Sequence, residues 1–133
     1  MSQRERPLSP FMLGQYYRFQ ITSAMSFLHR ITGMVLSVGA FLLTLWLVAV
    51  AAGPEAYAKF AACAGSPLGK VVLAGIAFCL IYHLLNGIRH LVWDLGVGFT
   101  IKGLYTGGTI VAVLAALITA LLWYFGFTAG GAA

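Results

Sequence analysis

Two stretches of this sequence carry polar chemistry into apolar surroundings. The first, "SFLHRITG" (26–33), sets His29 beside Arg30 at the head of "MVLSVGAFLLTLWLVAVAA" (34–52), a run without charge. On a helix Ser26, Arg30, Gly33 and Ser37 share one face, and His29 borders it. The second, "YHLLNGIRHLVWD" (82–94), repeats the pattern. His83, Asn86 or Gly87, His90 and Asp94 form one helical stripe. A charge at a bilayer centre costs ~2.5–3.5 kcal/mol even on lenient insertion scales, so these residues need a reason. Arg30 and Arg89 escape part of that cost if they snorkel to the interface. His83 lies about 10 Å deeper than His90 at helical rise and cannot snorkel.

Spacing alone leaves two readings of His83 open. It is an interhelical hydrogen-bond contact, or it is an axial ligand to haem iron, which neutral imidazole nitrogen binds well. A haem would account for more than His83. Its propionates need cations and donors at one edge, which His29, Arg30 and His90 offer. Gly87, one turn beyond His83, removes a side chain where a flat ring must approach. One histidine gives one axial ligand, and His90 is two turns away. Six-coordinate iron would need a histidine from another chain.

The elements that must position these groups are membrane helices. The 133 residues are 61% hydrophobic and 8% charged, with mean hydropathy +0.93. A soluble core of this size needs a polar shell that such a composition cannot supply. A spanning helix needs about 20 apolar residues, and three segments qualify, at about 22–52, 68–93 and 104–127. Breakers follow each: "AAGPEA", "DLGVG" and "GFTAGG". A β-barrel is disfavoured, because alternation is absent and three strands cannot close. The expectation is one all-α membrane domain over 1–133. It is an up-down-up bundle with a polar arm (1–21), an outer loop (53–67) and an inner loop (94–103).

Charge orients it. Arg4, Arg6, Arg18, Arg30, Arg89 and Lys102 fall on one side, Lys59 and Lys70 on the other. The positive-inside rule then puts the N-terminus in the cytoplasm and the C-terminus in the periplasm. The net charge of +5 reads as topology, not nucleic-acid binding, since no basic–aromatic patch lies outside the spans. "MSQRERPLSP" resembles neither a signal peptide nor a transit peptide, which points to a bacterial inner membrane. Cys63 and Cys79 fit no metal or redox spacing and read as packing residues. Gly108, Ala112, Ala116 and Ala120 form a small-residue packing stripe. Trp93 and Tyr105 suit an inner aromatic belt, Trp123 and Tyr124 an outer one.

At "RPLSP" (6–10), "SAMSFLHRITG" (23–33) and "HLLNGIRHLVWDLG" (83–96) the sequence resembles a family: the cytochrome b556 subunits of succinate dehydrogenase, membrane anchors of respiratory complex II. The three spans in matching order cover nearly the whole chain; only the third carries no diagnostic motif. The resemblance implies a b-type haem shared with a second small anchor subunit, and partners that include an iron–sulfur subunit and a flavoprotein subunit. By motif position His83 matches the haem ligand. Ser26 and Arg30 match residues of the ubiquinone pocket, and His29 and His90 fall near the propionate edge. Asp94 reads equally as a proton relay or as a cap against Arg89. Succinate oxidation itself would belong to another subunit, leaving this chain no residue in that reaction. Two competing readings stand beside this one: a structural anchor that binds neither haem nor quinone, and a dihaem cytochrome. The second is weak, because two haems usually need four histidines and the chain has three.

Overall fold

The computed structural model describes residues 20–130. They form four helices: α1 (Ile21–Ala52), α2 (Pro54–Gly65), α3 (Pro67–Asp94) and α4 (Ile101–Gly130). The expected polar arm lies outside the described residues apart from Gln20 and Ile21, as does "RPLSP". α1, α3 and α4 are each long and apolar enough to cross a membrane. α1 starts from Gln20 in extended conformation and runs without proline to Gly53. There φ is +107°, a left-handed value that glycine tolerates and that stops the helix.

The outer segment, expected as a loop, is the helix α2. Gly53-Pro54 ends one helix and begins the next, because proline at N1 is pre-set for helical φ and its missing N–H would be unpaired there anyway. Glu55 in the first turn opposes the helix dipole. It also pairs with Lys59 one turn on at 2.8 Å. α3 then begins with a full cap. Ser66 Oγ accepts from the Gly69 N–H at 3.1 Å, and Pro67 holds N1.

α3 packs against both other long helices. Met25 of α1 meets Arg89, Thr32 meets His83, and Gly39 faces Ile76. Positions rise along α1 as they fall along α3, so these two helices run against each other. The core is small: Met25, Ile81, Tyr82, Val111 and Ala115, with Ile21 and Leu85 packed beside it. Large apolar side chains such as Phe41, Leu47, Phe78, Leu117 and Phe125 are exposed. That much uncovered apolar surface calls for lipid or neighbouring chains. The packing stripe of α4 differs from the one expected. Gly108, Val111 and Ala115 are buried, whereas Ala112, Ala116 and Ala120 face outward. Gly108 fixes this rotation, since a Cβ there would lie 2.6 Å from Met25 Sδ.

Gly108→Val therefore overpacks the junction, at a cost of about 1–3 kcal/mol. A lowered midpoint of thermal unfolding in detergent is expected, while Ala112→Val on the outward face stays within about 0.5 kcal/mol.

Candidate functional site

The site begins with one turn of α1. Thr32, three residues after His29, donates from Oγ1 to the His29 carbonyl at 2.9 Å. His83 of α3 brings Nδ1 to within 3.1 Å of that same carbonyl and 3.1 Å of Thr32 Oγ1. The Thr32 hydrogen is already engaged, and a carbonyl only accepts. Both neighbours of Nδ1 are therefore acceptors, and Nδ1 must carry the proton. In a neutral imidazole Nε2 is then left with its lone pair, the arrangement in which histidine ligates metals. Nε2 makes no hydrogen bond among the described residues.

Gly33 lets the ring come this close. A Cβ at that position would lie 3.2 Å from His83 Cε1. A Cβ at Gly87, expected to leave room for a flat ring one turn beyond His83, would meet nothing within 4 Å; the glycine that lies against the imidazole itself is Gly33.

The three histidines do come together. His29 stacks on His83 with ring centroids 3.8 Å apart and planes 11° from parallel. His90 lies 5.6 Å from His29 at 54°, its other side against the Trp93 edge at 4.9 Å. All three are half-buried. His29 Nδ1 is walled in without a hydrogen-bond partner, so polar work by His29 falls to Nε2. Face-to-face stacking also means that His29 and His83 could not hold one metal ion between them from opposite sides. Among the described residues no three or more His, Cys, Asp or Glu are grouped to hold a bare metal ion. A single free Nε2 instead suits a metal that brings its other ligands in a macrocycle.

Ser26 and Arg30 lie on the outward side of the same α1 turn. Both are exposed, and together with Thr22, Ser23 and Phe27 they line an open recess of about 450 Å³. A hydroxyl donor and a guanidinium in one recess can hold an oxygen that gains negative charge. Asp94 ends α3 and is exposed. It does not cap against Arg89, whose partners are Leu104, Asn86, Met25 and Trp93. Arg89 does not snorkel; it is 7% exposed. Sequence reasoning also missed Thr32 and Tyr82. For Thr32 a signal existed: it lies on the His29 face, one turn on, where a β-hydroxyl can reach the i−3 carbonyl.

Fold and site together define an all-helical membrane subunit that presents one ligand-ready imidazole beside a polar recess. The chain belongs to the succinate dehydrogenase/fumarate reductase transmembrane subunit family, whose model matches residues 2–122. It is 40% identical over 119 residues to the succinate dehydrogenase cytochrome b556 subunit of Rickettsia felis, covering 90% of this chain and 91% of that one. It is 39% identical over 120 residues to the cytochrome b556 subunit of Paracoccus denitrificans, covering 85% and 91%. The mitochondrial cytochrome b560 subunit of Sus scrofa is 41% identical over 114 residues, 84% of this chain and 66% of that protein.

Thr32→Val keeps the side-chain shape and removes one of the two acceptors at Nδ1. Lost outer-shell partners weaken metal binding by roughly tenfold or more. The expected outcome is weaker retention of an imidazole-ligated iron, read from its absorbance after detergent dilution.

Proposed function

We propose that this chain is the membrane-anchor, haem b-binding subunit of a succinate:ubiquinone oxidoreductase, and that it forms part of the ubiquinone-reduction site. The observation that carries the reading is that one turn of α1 carries both sets of contacts. His29 stacks on His83 while Ser26 and Arg30 line the recess beside it. Membership of the family and the cytochrome b names of its relatives support the same assignment.

His83 would hold the haem iron through Nε2, with Nδ1–H fixed on the His29 carbonyl, and a histidine of a second small anchor subunit would supply a further ligand. His29, Arg30 and His90 would offer donors and positive charge to the haem propionates. The haem supplies one-electron chemistry when bound. Ubiquinone enters the Ser26–Arg30 recess. Its reduction takes two electrons and two protons, and negative charge develops on a quinone oxygen. Ser26 donates a hydrogen bond to that oxygen. Arg30 adds a fixed positive charge, which counts for more in a low-dielectric site than in water. Asp94, exposed at the end of α3, relays protons from the aqueous side. The iron–sulfur and flavoprotein subunits bring electrons from succinate and dock on the inner face. In this reading the helices run up-down-up in a bacterial inner membrane, with the N-terminus in the cytoplasm and the C-terminus in the periplasm. Lipid covers the remaining apolar surface.

The test is a pair of assays on one membrane preparation, succinate to a soluble dye and succinate to quinone. Ser26→Ala removes one donor to developing charge, a loss of about 3 kcal/mol or roughly a hundredfold in rate. Arg30→Leu is at least as damaging. Arg30→Lys recovers only part, because a point charge does not reproduce the planar fork. Dye reduction persists in all three. Normal quinone rates in both Ser26→Ala and Arg30→Leu would place the quinone site elsewhere.

A further inference from the structure

A second cluster of polar side chains lies where α1, α3 and α4 meet, on the inward side of the bundle. Met25, Tyr82, Asn86 and Arg89 are all buried there. Arg89 Nη2 donates to the Leu104 carbonyl of α4 at 2.7 Å. Nη1 reaches Asn86 Oδ1 at 3.5 Å and Met25 Sδ at 3.7 Å. The guanidinium also lies 4.1 Å from the Trp93 ring centre. Tyr82 donates to the Met25 backbone carbonyl at 3.1 Å. Met25 is therefore held twice, by its backbone and by its sulfur. α4 is notched to admit the pair: a Cβ at Gly107 would lie 3.2 Å from Arg89 Nε, and one at Gly108 would lie 2.6 Å from Met25 Sδ.

Stability alone does not account for this choice. Arg89 has no carboxylate among its partners, its Nε is buried without an acceptor, and so is Asn86 Nδ2. A junction that needed only stability would do as well or better with packed apolar residues. What the guanidinium and the phenol add is direction. A rigid fork and a single hydroxyl fix where Met25 sits, and Ser26 is the next residue. Each residue turns a helix by about 100°, and every residue lining the recess belongs to α1, so a partial rotation of α1 would swing Ser26, Arg30 and the whole recess to a different heading. The same rotation would carry His29 off the His83 ring.

We propose that Arg89 and Tyr82 are positioning residues: they clamp Met25, fix the rotation of α1, and thereby aim Ser26 and Arg30 at the quinone. The inference rests on the reading of the recess as the quinone site. Neither residue touches substrate. Their effect passes through the α1 backbone, and the Gly107–Gly108 step of α4 is the seat of the clamp.

Two measurements on the assembled complex test it. The first is quinone kinetics at matched dye activity. Tyr82→Phe removes one hydroxyl with little change of shape, and Gly107→Ala presses on Arg89 Nε. Both are expected to lower kcat for quinone reduction several-fold with a smaller change in KM, because the groups they aim act on developing charge. Arg89→Leu lowers it further, by about tenfold or more as reacting groups lose alignment, and Arg89→Lys restores only part. Gly126→Ala, which meets nothing within 4 Å, leaves kcat unchanged. The second measurement does not depend on quinone. With Cys63 and Cys79 replaced by Ser, a Gly39→Cys/Ile76→Cys pair reports the α1–α3 register by oxidative cross-linking. Cross-linking is expected to fall several-fold when Tyr82→Phe or Arg89→Leu is added. Unchanged cross-linking, or a normal kcat for quinone in Tyr82→Phe and Arg89→Leu while Ser26→Ala is defective, overturns the clamp. If Ser26→Ala and Arg30→Leu are themselves normal, the quinone reading has failed, and the cross-link alone decides whether α1 is clamped.

Discussion

The hydrogen bond from His83 Nδ1 to the carbonyl of His29 is the contact on which the rest of the site depends. Inside a bilayer a polar side chain has no water to fall back on, so each must be satisfied within the protein. That one carbonyl takes both Thr32 and His83. It joins α1 to α3, orients the imidazole and decides which ring nitrogen is protonated. It also places His29 flat against His83, which leaves the outward side of the same turn to Ser26 and Arg30. The contacts to His83 and the Ser26–Arg30 recess thus lie on two sides of one turn of α1.

The inward face meets the same constraint only in part, since Arg89 Nε and Asn86 Nδ2 lack partners among the described residues. Arg89 cannot reach water, so it takes a carbonyl, an amide oxygen, a thioether and an indole face instead. Those partners come from three helices. Glycine makes both faces possible. Gly33 admits the His83 ring on one side, and Gly107 and Gly108 admit Arg89 and Met25 on the other.

Much of this was legible in the sequence because hydropathy and helical period are strong signals in lipid. The three long helices, the shared face of Ser26 and Arg30, and the deep His83 all follow from spacing. The helix α2 was hidden because Gly53-Pro54 reads as a break, although proline serves equally well as a helix start. Arg89 was hidden for a different reason. Its i+3 relation to Asn86 is visible, but its main partner is a backbone carbonyl on another helix, and backbone acceptors leave no mark on sequence. The approach of Gly33 to the His83 ring was likewise a matter of inter-helix register. Periodicity within one helix does not carry that information.

The central claim is that His83 ligates a haem through a bare Nε2, and one spectrum tests it directly. The reduced-minus-oxidised difference spectrum of the purified complex is to be compared between the native chain and His83→Ala. The expected result is loss or severe perturbation of the b-type band, while the three helices still insert and succinate still reduces a soluble dye. An unchanged b-type spectrum in His83→Ala would contradict the assignment and move the ligand to His29 or His90.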